Sequence, residues 1–288
     1  MLARGRPLID DSSRGDTYNP TNHMLRDLAL LYRDAFTQML GSLGRTWAGI
    51  VAIYVYAIGL GLVGLLSRLV PIPILAGLLV GLTDGLAVGA LLALVQRAVD
   101  RNTLRMSDIG EALGTYFWDV IAVGFVLWIP FLLLRQIAHL TDHGPLITAG
   151  VSLLAAAFLN PLPEVIYQTR TGSPLEDLAE SARFVQQHWI EWFVPIVLVA
   201  APLGSFLFFA SGSMGRGGLS FERFILIPAL LTARLAEAVA LPPTVALWVT
   251  ALGTPALTFA LLVFRGHLFA ALAGTTSRQR KFRRLLGS

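Results

Sequence analysis

The chain has 288 residues, 55% of them hydrophobic and only 14% charged, with a net charge of +4. Soluble domains carry about 25% charged residues, so this balance excludes an ordinary soluble globule and points to an integral membrane protein. With no cysteine, a disulfide framework, a thiol nucleophile and a cysteine metal site are excluded as well.

Residues 1–21 contain Asp10, Asp11 and Asp16 and lack the apolar core of a signal peptide. They read as a short disordered cytoplasmic segment. A first amphipathic stretch follows, Met24 to Leu43. Leu25, Leu28, Tyr32, Phe36, Met39 and Leu43 recur at helical spacing, with Arg26, Asp27, Arg33, Asp34, Thr37 and Gln38 opposite. Trp47 then opens an apolar run over residues 46–66, the first of six expected spans.

The second span covers residues 73–96. It carries Gly77, Gly81, Gly85 and Gly89, each four residues from the last. Small residues at that interval make a flat stripe along which another helix can approach closely. We expect the ladder to seat this span within the chain, against the first span or a neighbouring repeat. Asp84 borders the stripe, about 60° from Gly81 and about 100° from Gly85 around the helix. A carboxylate at that depth costs about 2.5–3.5 kcal/mol on insertion scales, so it is neutral, paired or in a wet cavity. Tyr54 or Tyr56 of the first span can donate to it. Its two readings are a proton or cation site and a buried structural hydrogen bond.

A second, shorter amphipathic stretch runs from Ser107 through Ile109 and Leu113 to Phe117, with Asp108 and Glu111 on its polar side. Trp118 marks the start of the third span, residues 116–134. The fourth span, residues 145–167, contains Asn160-Pro161-Leu162-Pro163-Glu164. Each proline removes a backbone donor and disturbs the preceding turn. Freed carbonyls, Asn160 and Glu164 can form a cation-coordinating break of the transporter kind. A simple kink with an interfacial carboxylate is the competing reading.

The third amphipathic stretch is the clearest. Ser173-Pro174-Leu175-Glu176 offers a capping serine, a proline at the first helical position and a glutamate able to bond back to the cap. Leu175, Leu178, Ala182, Val185 and Trp189 line one face. Trp189 and Trp192 lead into the fifth span, residues 192–211. Residues 221–239 are apolar but carry Glu222, Arg223, Arg234 and Glu237. They fit the outer interface or a segment folded back into the bundle; if they crossed, the C-terminus would change side. The sixth span covers residues 243–268. Residues 274–288 form a polybasic tail, in which Arg278, Arg280, Lys281, Arg283 and Arg284 are expected to meet anionic lipid headgroups at roughly 1 kcal/mol per charge.

The fold expected is thus all-α: a polytopic bundle over residues 22–273, six spans arranged as three repeats of interfacial helix plus span pair. Most basic residues fall on the side holding both termini, which makes that side cytoplasmic. Lys281 is the only lysine among the basic residues, a bias expected of a GC-rich bacterium. The turn Val165-Ile166-Tyr167-Gln168-Thr169-Arg170-Thr171-Gly172-Ser173-Pro174 resembles the repeated turn of a bacterial inner-membrane superfamily. That superfamily includes the membrane domain attached to some glycerophosphodiester phosphodiesterases. The resemblance covers Met24 to about Ala273 and implies a helical membrane module. No phosphodiesterase domain accompanies it here, so that activity does not carry over.

Catalytic groups are not legible. His139 and His143 with Asp142 have helical spacing but no third convincing ligand. Ser211 to Gly215 is a flexible loop without a nucleophile elbow, and no phosphate-cradling loop occurs. No cofactor and no nucleic-acid partner is expected. The leading expectation is a non-catalytic structural or accessory subunit of a membrane complex, with a membrane-protein partner or self-association. The alternative is a permease-type transport component that uses Asp84, Asn160 and Glu164 as an ion or substrate site.

Overall fold

A computed structural model describes residues 20–200 and 221–273. Among these residues every regular element is a helix. In chain order they are α1 (Pro20–Leu43), α2 (Trp47–Ser67), α3 (Pro73–Arg101), α4 (Ser107–Ala112), α5 (Phe117–His139), α6 (Gly144–Phe158), α7 (Leu162–Gln168), α8 (Pro174–Ala200), α9 (Phe221–Ala238) and α10 (Pro243–Leu272).

Among the described residues, five segments are long and apolar enough to cross a membrane: α2, α3, α5, the broken pair α6–α7 and α10. This is the architecture of a multi-pass membrane protein. The fifth expected span, residues 192–211, lies only partly within the described residues. Its first part is the end of α8, and residues 201–211 lie outside, as do the N-terminal residues 1–19 and the tail 274–288. Most of residues 221–239 form α9 (Phe221–Ala238), which lies along α10.

Prolines set several helix starts. Pro73, Pro174 and Pro243 each open a helix, where the missing N–H costs no hydrogen bond. Asn102 ends α3 in the left-handed conformation, with φ 54°. The second amphipathic stretch is helical only to Ala112, then turns through Gly114 at φ 87° before α5. The third stretch and the following apolar run are one element, α8, bent at His188, where φ is −131°. That bend divides its amphipathic part from its apolar part.

Packing is concentrated at one end of the bundle, where α2 and α5 begin and α3, α7 and α10 finish. Ala48, Ala52 and Ile53 of α2 are fully buried against Val88, Leu91 and Leu94 of α3 and Phe259 of α10. Gly49 of α2 has no room for a side chain, because the Phe259 ring lies against its backbone. At the other end the same helices turn apolar side chains outward: Ile74 is 82% exposed, and Leu65 and Leu247 are also largely bare. Lipid is as apolar as leucine, so nothing drives these side chains inward.

The glycine ladder divides at this boundary. A Cβ added at Gly89 would lie 2.9 Å from the Phe117 nitrogen, and one at Gly85 would lie 2.6 Å from Ile121 Cδ1. Both glycines therefore admit α5, the first span of the next expected repeat, rather than α2. Gly77 and Gly81 face open space.

Two tyrosines repair proline defects across long sequence distances. A proline inside a helix leaves the carbonyl four residues earlier without its amide partner. Pro195 of α8 does this to Glu191, whose carbonyl accepts a bond from the Tyr32 hydroxyl of α1 at 2.9 Å. Pro255 of α10 does it to Ala251, whose carbonyl accepts from Tyr54 of α2 at 3.0 Å. These bonds pin α1 to α8 and α2 to α10. Thr232 of α9 and Thr254 of α10 meet hydroxyl to hydroxyl at 2.9 Å, fixing α9 on α10.

Candidate functional site

The prolines at 161 and 163 break the fourth apolar run, as their chemistry requires. Helix α6 ends at Phe158 and α7 restarts at Leu162. The break brings Asn160 and Glu164 to the packed end of the bundle, facing α10 and α8. Glu164 is only 1% exposed, so within the protein it is a core group.

Its partner is Arg265. The guanidinium Nε donates to Glu164 Oε1 at 2.9 Å, and one terminal nitrogen donates to Oε2 at 2.9 Å. That same terminal nitrogen also donates to the Asn160 carbonyl at 2.7 Å. The bidentate geometry is the strong form of a carboxylate–guanidinium contact. Arg265 therefore occupies the position that the broken turn offers to a cation. A metal ion entering there would have to displace a guanidinium.

Trp192 completes the cluster. Its indole N–H donates to Asn160 Oδ1 at 2.8 Å, and its ring lies 5.2 Å from the Arg265 guanidinium carbon. The first bond orients Asn160; the second contact adds a cation–π attraction to the ion pair. Trp192 is 1% exposed and packs edge-on against Phe184, near Phe269. It is thus a core residue, in contrast to Trp47, Trp118 and Trp189, which are all more than half exposed.

No protein family, curated protein or solved structure matches this chain. The geometry must therefore carry the functional reading by itself.

Sequence reasoning passed over Arg265. The signal was present: an arginine within an apolar run demands a partner, and Glu164 is one of the few carboxylates available at that depth. Nothing in the sequence pairs residues 101 positions apart, so the match needed the fold.

The other candidates are placed separately. Asp84 sits half-buried in α3, one residue before the tight contact at Gly85. Tyr54 is committed to α10, and the Tyr56 hydroxyl donates to the Ile109 carbonyl of α4 at 3.1 Å. Asp84 lies on α3, whereas the Asn160–Glu164 break lies at the junction of α6 and α7. Arg234 and Glu237 make the local pair that their spacing allows, at 2.8 Å on an exposed face. His139 ends α5, and His143 precedes α6. Among the described residues no three His, Asp or Glu side chains gather as a metal site. The tail residues Arg278 to Arg284 lie outside the described residues.

A second polar cluster secures the end of α7. The Tyr116 hydroxyl donates to Gln96 Oε1 at 2.8 Å and accepts from Arg170, whose Nε and terminal nitrogen lie at 3.0 and 2.7 Å. Arg170 holds a left-handed backbone, φ 48°, to reach it. Gln168 Nε2 donates to the Gly266 carbonyl at 3.0 Å, tying α7 to α10 beside the ion pair.

Proposed function

We propose that this chain is a non-catalytic integral membrane protein, a structural or accessory subunit of a membrane complex. The observation that carries this reading is the internal closure of the Asn160–Glu164 break. Both Glu164 oxygens and the Asn160 carbonyl are bound to Arg265. The groups best placed to bind a solute are thereby engaged in joining α7 to α10. The open Gly77 and Gly81 edge of α3 supports a partner, since it leaves a flat surface for a further helix.

In this reading the protein lies in a bacterial cytoplasmic membrane with both termini cytoplasmic. Six spans form three repeats, the fifth span continuing α8. The resemblance of the turn at residues 165–174 to the six-span superfamily agrees with such a module and adds no chemistry.

A permease-type role is the second reading, favoured by the broken α6–α7 helix beside an ion pair, an arrangement that transporters use. Purification of the full chain in mild detergent separates the two. Capture of one stoichiometric membrane protein is the expected result. A stoichiometric ATPase would support the permease, and a partner-free chain would refute the subunit reading.

A further inference from the structure

We propose that Arg45, Arg101 and Arg105 form a binding site for the headgroup of an anionic phospholipid. The Leu104 N–H donates to the Arg45 carbonyl at 3.0 Å. This bond clamps the α1–α2 turn to the loop after α3, so Arg45 and Arg105 flank one backbone contact. Arg101 lies in the last turn of α3, four residues before Arg105. All three arginines are exposed.

Among the described residues none of the three makes an ion pair with a carboxylate. The nearby carboxylates Asp108 and Glu111 are taken by Arg97, at 3.0 and 3.4 Å, and Asp108 also accepts from the Arg105 backbone N–H at 2.7 Å. Asp100 is the remaining acid beside the patch. One Arg45 nitrogen caps α1 by donating to the Gly41 carbonyl at 3.0 Å, and the guanidinium keeps further donors.

The patch sits where α2 enters and α3 leaves the apolar layer. Trp47 is 52% and Met106 50% exposed there. An indole half in contact with lipid beside unpaired guanidinium groups suits a headgroup phosphate above and an acyl chain below. Charge complementarity selects an anionic lipid over a zwitterionic one. This site is separate from the tail cluster, and it does not depend on the subunit reading.

The test is native mass spectrometry of the full chain titrated with phosphatidylglycerol or with phosphatidylcholine of the same acyl composition. The tail charges at 278–284 are neutralised in every sample. Arg45→Gln, Arg101→Gln and Arg105→Gln together should weaken phosphatidylglycerol binding about a hundredfold, since each basic group near the surface contributes about fivefold. Each single variant should show about fivefold, which keeps the test usable if the triple variant folds poorly. The corresponding triple lysine variant should stay within a few-fold of the parent. Unchanged phosphatidylglycerol binding in the glutamine variants, an equal loss of phosphatidylcholine, or a lysine variant as weak as the glutamine one would overturn the site. Displacement of the lipid by inorganic phosphate as effectively as by phosphatidylglycerol would assign the patch to a soluble anion instead.

Discussion

Removing one member of the Glu164–Arg265 pair should damage the fold far more than removing both. Glu164 is 1% exposed and the Arg265 side chain 21%. Glu164→Gln leaves a guanidinium in the bundle with the Asn160 carbonyl as its remaining strong acceptor. Breaking a buried pair in this way costs about 3–5 kcal/mol. The partial exposure of Arg265 places the expected loss near the lower end of that range. Arg265→Met leaves an uncompensated, buried carboxylate and should cost at least as much. With both changes together no unpaired charge remains, so the double variant should recover about 2 kcal/mol or more relative to the sum of the two. Reversible unfolding of the purified chain in mixed micelles, across the four proteins of the cycle, measures this coupling. Additivity to within about 0.5 kcal/mol would refute the claim that the pair acts as a latch.

The divided glycine ladder gives the next expectation. Gly89→Ala drives a methyl group into the backbone at Phe117 and should cost about 1–3 kcal/mol, whereas Gly81→Leu, facing open space, should leave thermal unfolding unchanged. Equal losses at both positions would contradict the placement of α5. Trp192→Phe removes the bond to Asn160 and should destabilise by about 0.5–1.5 kcal/mol in the same assay, or more if Asn160 Oδ1 stays buried without a donor. Tyr32 carries a pH signature: burial, with Glu191 adding to it, pushes its ionisation up to about 12. An ordinary tyrosine ionises near 10.0, so the unfolded chain loses this proton first as pH rises. The stabilisation is complete below pH 10 and is lost as pH climbs through about 12. Tyr32→Phe should flatten that part of the stability profile, and an unchanged profile would show that the Tyr32–Glu191 bond does not matter.

Local chemistry was legible in the sequence, and long-range pairing was not. Pro174 announced a helix start because a proline acts on its own turn. The two prolines at 161 and 163 announced the break for the same reason. Four tryptophans stand at the starts of the expected spans; Trp47, Trp118 and Trp189 are exposed while Trp192 is buried, since only its neighbours Phe184 and Phe269 distinguish it. The carbonyls freed by Pro195 and Pro255 were foreseeable; Tyr32 and Tyr54 as their donors were not. Three identical intervals made the glycine ladder look uniform. The fold divides it, because only half of α3 lies in the packed end. Glu164 acquired a defined partner, Arg265, that only the fold could supply.

The central claim is that the polar groups in this bundle join helices and that function lies in association with a partner. Purification of the Glu164→Gln, Arg265→Gln double variant from its native membrane, compared with the parent chain, tests it most directly. The account predicts that a correctly folded double variant retains the same stoichiometric partner at the same yield. A folded double variant that has lost the partner would contradict it.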